Sequence, residues 1–142
     1  MTHTVYLALG SNTGDRQCLL REAIRLIGQE VGDVTRTSSF IETEPWGFVS
    51  QHRFINACIQ VQTPLTPRQV LLATQDIERR MGRTRKSDDG AYHDRPIDID
   101  ILLYDDWHID EPDLKVPHPL MRERDFVMVP LSEIMPDGHD AC

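Results

Sequence analysis

The sequence predicts an α+β domain in which one antiparallel sheet carries two helices on one of its faces. Three observations predict this class. Apolar and polar residues alternate between Phe54 and Thr63 with the period of a strand. A capped helix start stands at Thr66 and is followed by apolar residues at helical spacing. The predicted elements follow the order β-α-β-β-α-β, which is typical of a sheet with both helices on one side.

The first half of the chain supplies a strand, a helix and two further strands. The opening strand is predicted from Thr4 to Leu9, where the Gly10-Ser11-Asn12 segment breaks it. A helix follows, with Gly28 or Gly32 as its stop. Its apolar residues recur at helical spacing: Leu19, Leu20, Ala23, Ile24 and Ile27. Two strands are then predicted, at about 34–42 and 54–63.

The second half supplies a helix and the last strand of the sheet. Thr66 is the predicted N-cap, Pro67 occupies the first helical position, and Gln69 completes a capping box. The helix continues to the stop at Gly82, and after a polar loop a strand follows from about residue 97. The expected fold is a ferredoxin-like βαββαβ sandwich with a C-terminal extension, and its helix-free face is expected to be open.

Two aspartates stand one residue apart in this last strand, where core packing would not require them. Side chains alternate across a strand, so Asp98 and Asp100 share one face while Ile99 points to the other. The two carboxylates then lie roughly 7 Å apart. They indicate a hard dication or a cationic partner, although a solvated edge strand would show the same pattern.

Length, charge and cysteine content limit the class of protein. The 142 residues predict a single domain, 1–142. A formal net charge of −8 argues against general binding to nucleic acid or to an anionic membrane. No stretch is long and apolar enough to span a bilayer, and the three cysteines form no C-x-x-C motif. A cytoplasmic location is therefore expected, and a monomer is expected because no long apolar stripe is left unassigned.

Several further residues are candidates for binding a phosphorylated ligand. Six of the fifteen basic residues lie between Arg79 and Arg95, which predicts a phosphate site, although the first of them also suit a helix end. Phe54 and Asn56 should share the face of the two aspartates, as a stacking ring and an amide. His118 lies between two prolines that restrict its backbone.

Together these segments resemble the 6-hydroxymethyl-7,8-dihydropterin pyrophosphokinase family of folate biosynthesis. The resemblance covers nearly the whole chain in the family's order. The motifs that carry it are Leu9-Gly10-Ser11-Asn12, Ser39-Phe40, Glu44-Pro45-Trp46-Gly47, Phe54-Ile55-Asn56-Ala57, Gln75-Asp76-Ile77-Glu78, Gly82-Arg83-Thr84-Arg85, Arg95-Pro96-Ile97-Asp98-Ile99-Asp100 and Val116-Pro117-His118-Pro119.

The resemblance implies an ATP-dependent transfer of pyrophosphate to the pterin's hydroxymethyl oxygen, with AMP leaving. It implies that Asp98 and Asp100 hold two magnesium ions, and that Arg83, Arg95 and Asp98 are the catalytic residues. The residues implied to seat ATP are Gln75, Glu78, Arg85, Ile101, His118 and Arg124. Those implied to contact the pterin are Thr43, Pro45, Phe54, Asn56 and Phe126.

The sequence also predicts how ATP is held, and it leaves two other functions open. The chain has neither a P-loop nor a dinucleotide-binding glycine motif, so arginines, histidine and bridged metals are expected to hold ATP. The loop 83–95 is expected to act as a lid that is mobile without ligand. A non-catalytic module that binds pterin and nucleotide is one alternative. A single-strand nucleic-acid binder is the other, but it would require a basic, aromatic sheet face.

Overall fold

The computed structural model describes residues 2–11, 15–43, 54–82, 97–119, 121 and 124–135. Three helices and seven strands lie in these ranges. In chain order they are β1 His3–Ser11, α1 Arg16–Glu30, β2 Asp33–Thr37, β3 Ile41–Thr43, β4 Phe54–Thr63, α2 Pro67–Arg80, β5 Asp98–Tyr104, β6 Ile109–Glu111, β7 Leu114–Val116 and α3 Asp125–Ile134.

The main sheet has the topology that the sequence predicted. Its strands run in the order β2-β4-β1-β5, β3 also pairs with β4, and every pairing is antiparallel. The ferredoxin-like α+β class is therefore confirmed. Among the described strands, β5 forms one edge of this sheet and carries the two aspartates.

Local signals placed α2 correctly, whereas the bounds of two strands differ from the prediction. Thr66 accepts a hydrogen bond from the backbone N–H of Gln69, and both halves of the capping box are present. β1 continues through Gly10 to Ser11, because β4 pairs with both residues and β5 pairs with Gly10. The strand predicted at 34–42 is two short strands on β4. Of the two predicted stops of α1, Gly28 lies inside the helix, whereas Gly32 directly follows the C-cap Val31.

The face of the sheet that carries α1 and α2 holds the larger core. Leu7, Ile59 and Ile77 are among its fully buried members, and Ile97, Ile99 and Ile101 extend it along β5. At about 25 cal/mol per Å² of buried apolar surface, a cluster of this size is the main stabilising contribution to the fold. The side of β5 that faces the helices is therefore apolar.

The opposite face is not open, which corrects the expectation of a helix-free surface. α3 packs on it and forms a second cluster with Tyr6, Cys58 and Leu102 around Leu131. Sequence periodicity located the polar set of β4 on this side, but it did not reveal that the C-terminal extension would include a helix that covers it. None of the helices in the described ranges is long and apolar enough to cross a membrane.

Candidate active site

The two aspartates lie on the sheet face that carries α3, at the end of β5. Asp98 pairs with Gly10 and Asp100 pairs with Ala8 across the β1–β5 ladder. Both are half-buried, while the intervening Ile99 is buried in the core on the helix side. The alternation predicted from the sequence is therefore confirmed, and both carboxylates project from one surface.

A row of three residues crosses the sheet beside the first aspartate. Gly10 pairs with Asn56 on one side and with Asp98 on the other. A Cβ added to Gly10 would lie 2.9 Å from Asn56 Oδ1 and 3.3 Å from Phe54 Cδ1. Phe54 and Asn56 therefore lean over a residue that has no side chain, in the strand next to Asp98. Glycine at this position leaves room for these two side chains, because a Cβ there would crowd them.

A histidine and an arginine from the C-terminal segment approach the same carboxylates. The backbone N–H of His118 donates to Leu102 O at 3.0 Å, next to an irregularity in the β1–β5 register. Arg124 Nη1 lies 4.0 Å from Asp100 Oδ2. Burial lowers the pKa of His118 and the nearby Arg124 lowers it further, while Asp98 acts in the opposite direction. His118 is therefore within electrostatic reach of both charges.

Glu78 holds the strand between the two aspartates from the other side. Its carboxylate is buried, and Oε2 accepts a hydrogen bond from Ile99 N at 2.6 Å. β1 bonds the inner edge of β5, so this carboxylate occupies a position at the outer edge where a further strand would pair. A charge-assisted bond of this kind restrains the backbone that sets the separation of the carboxylates.

A cavity of about 270 Å³ opens beside Asp100. One wall is the edge of β5, another is Leu71 of α2, and the outer wall is the β6–β7 hairpin. Ile101 has the same parity as Ile99, so its backbone N–H and C=O also face the outer edge of the strand. The lining residues are Leu71, Ile99, Asp100, Ile101, Pro112, Asp113, Leu114, Lys115, His118 and Pro119.

The donor set fits a hard dication that takes most of its ligands from a substrate. Asp98 and Asp100 supply carboxylate oxygens, the donors that Mg²⁺ prefers. Within the described ranges, no group of three or more His, Cys, Asp or Glu residues could hold a metal by itself. Mg²⁺ commonly binds one or two carboxylates together with substrate phosphates and water, and this pair suits that mode.

For three further predicted site residues the structure gives only the position on their element. Gln75 is exposed one turn before Glu78 on α2. The backbone of Thr43 pairs with Phe54, and Phe126 is the second residue of α3. The predicted site residues that lie outside the described residues are Pro45, Arg83, Arg85 and Arg95, together with the predicted lid 83–95.

Sequence reasoning missed three contributors to the site. It treated Gly10 as a strand breaker, although a glycine inside a strand pattern is also a signal for close approach of a neighbouring group, here the side chains of Phe54 and Asn56. It assigned nothing to Arg68 or Asp113, which form an ion pair at the cavity with Nη1 2.6 Å from Oδ2. That pairing joins residues 45 positions apart, so no local pattern indicates it.

Comparison with known proteins identifies the family of this chain. The sequence model of the 7,8-dihydro-6-hydroxymethylpterin-pyrophosphokinase (HPPK) family matches residues 6–136. A 2-amino-4-hydroxy-6-hydroxymethyldihydropteridine pyrophosphokinase of Porphyromonas gingivalis is 52% identical over 136 residues, covering 95% of this chain and 92% of that protein. The protein of the same name from Bacillus subtilis is 44% identical over 135 residues, covering 94% and 79%.

A solved structure shares the fold. The HPPK-DHPS chain of Plasmodium falciparum superposes with a TM-score of 0.78 at 19% identity, over 99% of this chain. This chain spans 42% of the length of that longer protein. The family expected from the motifs is confirmed by the sequence matches, and the chain belongs to the 7,8-dihydro-6-hydroxymethylpterin-pyrophosphokinase family.

Proposed function

We propose that this chain transfers pyrophosphate from ATP to the hydroxymethyl oxygen of 6-hydroxymethyl-7,8-dihydropterin and releases AMP. The family match supports this reaction, and the arrangement of the two aspartates is the structural observation on which the proposal rests. Asp98 belongs to the row formed with Asn56 and Gly10, and Asp100, two residues further along β5, lines the cavity beside Ile101. This arrangement supports a reaction in which an acceptor on the row and a nucleotide in the cavity meet at the two carboxylates.

The row beside Gly10 supports binding of the pterin. Asn56 is 5% exposed, and its amide can donate to and accept from the edge of a heterocycle. Phe54 supplies a ring for stacking on a flat ligand, next to the glycine. We assign Thr43, Pro45 and Phe126 to the same ligand by the family motifs. Asp98 would accept a hydrogen bond from the attacking hydroxymethyl group.

The cavity supports binding of the nucleotide. The outward N–H and C=O of Ile101 offer a donor and an acceptor side by side, which is what the edge of adenine requires. Leu71 supplies an apolar wall for the base, and His118 lies at the end nearer the aspartates. Arg124, close to Asp100, would contact the phosphates. We assign Gln75 and Arg85 to ATP by the motifs alone.

Two magnesium ions would be held by Asp98 and Asp100 when the nucleotide is bound. Bound there, they would supply charge neutralisation for the triphosphate. Glu78 would act through Ile99, by fixing the backbone between the two ligand residues. We assign Arg83 and Arg95, on the family motif, to charge neutralisation on the phosphates that move.

The reaction requires alignment more than proton transfer. The hydroxymethyl oxygen forms a bond to the β-phosphorus, and the bond from that phosphorus to the oxygen bridging to the α-phosphate breaks, so AMP leaves with that oxygen. Phosphoryl-type transfer of this kind relies on positioning and electrostatic stabilisation. The protein holds both substrates next to the carboxylates of Asp98 and Asp100 and excludes water.

A direct assay tests the proposal. The purified chain is incubated with ATP, Mg²⁺ and 6-hydroxymethyl-7,8-dihydropterin, with each component omitted in turn, and AMP is quantified. We expect AMP only when all three are present. Absence of AMP with binding of both ligands would overturn the proposal and favour the non-catalytic module. If no AMP forms and neither ligand binds, the substrate assignment is wrong.

We also propose that the chain acts as a cytoplasmic monomer of one domain, 1–142. Among the described residues, the exposed large apolar side chains are Leu72, Trp107 and Val129, which lie on three different elements. Light scattering coupled to size exclusion should give the mass of one chain, and a dimer mass would contradict the proposal.

A further inference from the structure

We propose that Arg68 determines affinity for the nucleotide by neutralising Asp113 on the outer wall of the cavity. The proposal rests on the proposed function, since it concerns the same cavity. Arg68 would act through Asp113 and is therefore a positioning residue for charge, not a catalytic one.

The walls of the cavity carry negative charge that a nucleotide must meet. Two of the lining residues, Asp100 and Asp113, are carboxylates. The third charged lining residue, Lys115, is already paired, with Nζ 2.5 Å from Asp110 Oδ1. A nucleoside triphosphate is a polyanion, so an uncompensated carboxylate on this wall would repel it. Each wall carboxylate therefore needs a cation close by.

Arginines stand beside both carboxylates, one on each wall. Arg124 Nη1 lies 4.0 Å from Asp100 Oδ2 on the wall formed by β5. Arg68 Nη1 donates to Asp113 Oδ2 at 2.6 Å on the outer wall. Arg68 belongs to α2 and Arg124 is the N-cap of α3, and each reaches its carboxylate only in the folded structure.

Arg68 is held in place by a second carboxylate of the same hairpin. Its other terminal nitrogen donates to Glu111, so the fork of the guanidinium engages both residues. The hydrogen bond from Arg68 lowers the pKa of Asp113, and the bonds to Asp113 and Glu111 raise the pKa of Arg68. Both groups thus remain charged at neutral pH, and the pair keeps its geometry.

The hairpin does not need Arg68 to stay attached to the domain. Leu114 and Val116 are 5% and 3% exposed and belong to the large core cluster. The ion pairs of Arg68 are at the surface, where such pairs contribute little to stability. Loss of Arg68 should therefore appear in nucleotide binding and leave folding nearly unchanged.

The test compares Arg68→Ala with Arg79→Ala, a matched change on the same helix. Arg79 is exposed and pairs with Asp76. We expect Arg68→Ala to raise the KM for ATP and its Kd by calorimetry roughly threefold to tenfold, as one uncompensated nearby charge would. The kcat, the KM for the pterin and the Tm should stay close to those of the parent. Arg79→Ala should change none of these.

A second variant separates charge compensation from loss of a contact. Asp113→Asn placed in the Arg68→Ala chain removes the exposed carboxylate and should restore most of the affinity for ATP. Raising the salt from 0.05 to about 0.5 M should shrink the defect of Arg68→Ala, since screening weakens an exposed charge.

Three results would overturn the proposal: unchanged ATP affinity in Arg68→Ala, an equal loss in Arg79→Ala, or no recovery with Asp113→Asn. Its failure is distinguishable from that of the proposed function. If the parent chain forms no AMP, the proposed reaction is wrong, whereas the Kd values for ATP still decide the role of Arg68.

Discussion

The two faces of one sheet perform different tasks in this protein. The face under α1 and α2 is lined mainly by aliphatic residues such as Leu7 and Ile59. The face under α3 carries a smaller cluster and, further along the same strands, the polar row of Asn56, Gly10 and Asp98. Because successive residues of a strand point to opposite sides, one strand can stabilise the fold and build the site at once.

The second face is divided along its length. α3 packs over the half that contains Tyr6 and Cys58, where Gln60 Nε2 donates to Tyr6 Oη at 2.7 Å. Burial raises the pKa of the Cys58 thiol to about 12, so this thiol stays protonated at neutral pH. The proposed site occupies the other half. Buried polar residues of the half under α3, such as Gln60 and Tyr6, are hydrogen-bonded to each other.

Changes at the two aspartates are expected to lower activity strongly with little effect on stability. Asp98→Asn or Asp100→Asn should lower AMP formation at least about a hundredfold, because each removes charge from the proposed metal site. The free energy of unfolding should stay within about 0.5 kcal/mol of the parent, since both side chains are on the site face. Steady-state assays and urea unfolding measure the two quantities. Retained activity in either variant would refute the metal assignment.

Changes in the core under α1 and α2 are expected to lower stability. Ile59→Ala should cost about 2–5 kcal/mol of unfolding free energy, because it opens a cavity in the larger core.

Leu131→Ala is the matched change on the other face, in the smaller cluster, where α3 can relax toward the gap. It should lie at the low end of that range, near about 2 kcal/mol. Urea titration of both variants measures the difference, and an equal or larger cost for Leu131→Ala would remove the distinction between the faces.

Glu78 connects the two tasks, since it is buried beside the core but bonds the backbone of the site. Glu78→Gln keeps an acceptor oxygen and loses the charge, which should cost about 1–2 kcal/mol of stability. It should also raise the Mg²⁺ concentration needed for half-maximal activity, because the segment between the aspartates is less restrained.

The control for Glu78 is Asp76→Asn, an exposed carboxylate on the same helix. It should leave the requirement for Mg²⁺ unchanged. A loss of stability in Glu78→Gln with an unaltered requirement for Mg²⁺ would limit Glu78 to the fold.

The smallest effect is expected where α3 is tied to the link between β2 and β3. Ser39 donates from its backbone N–H to Glu133 Oε1 at 2.8 Å, and its hydroxyl also contacts this carboxylate. These bonds lower the pKa of Glu133. Glu133 therefore contributes stability above the pKa it has in the unfolded chain, and loses that contribution as pH falls through the folded-state pKa.

Glu133→Gln should accordingly be slightly less stable than the parent at neutral pH, and the difference should vanish in acid. Thermal unfolding between pH 7 and about pH 3 measures it. A Ser39→Ala change should add little in the Glu133→Gln chain, because the shared bond is already weakened. A difference that persists or grows in acid would contradict the assigned partner.

The sequence by itself determined the β-α-β-β-α-β order of the main elements, the capping of α2 and the face on which the residues of β4 and β5 lie. These depend on neighbours two to four positions apart, which periodicity and caps record directly. The spaced motifs also determined the family. The paired aspartates were visible because they interrupt an apolar strand.

Only the tertiary structure decided how the outer layers meet the sheet. Glu78 reaches Ile99 across 21 positions, Arg68 reaches Asp113 across 45, and Ser39 reaches Glu133 across 94. No local pattern encodes such pairs, because they depend on where the chain returns after each turn. The helix that covers the second face and the charge on the cavity wall both belong to this class.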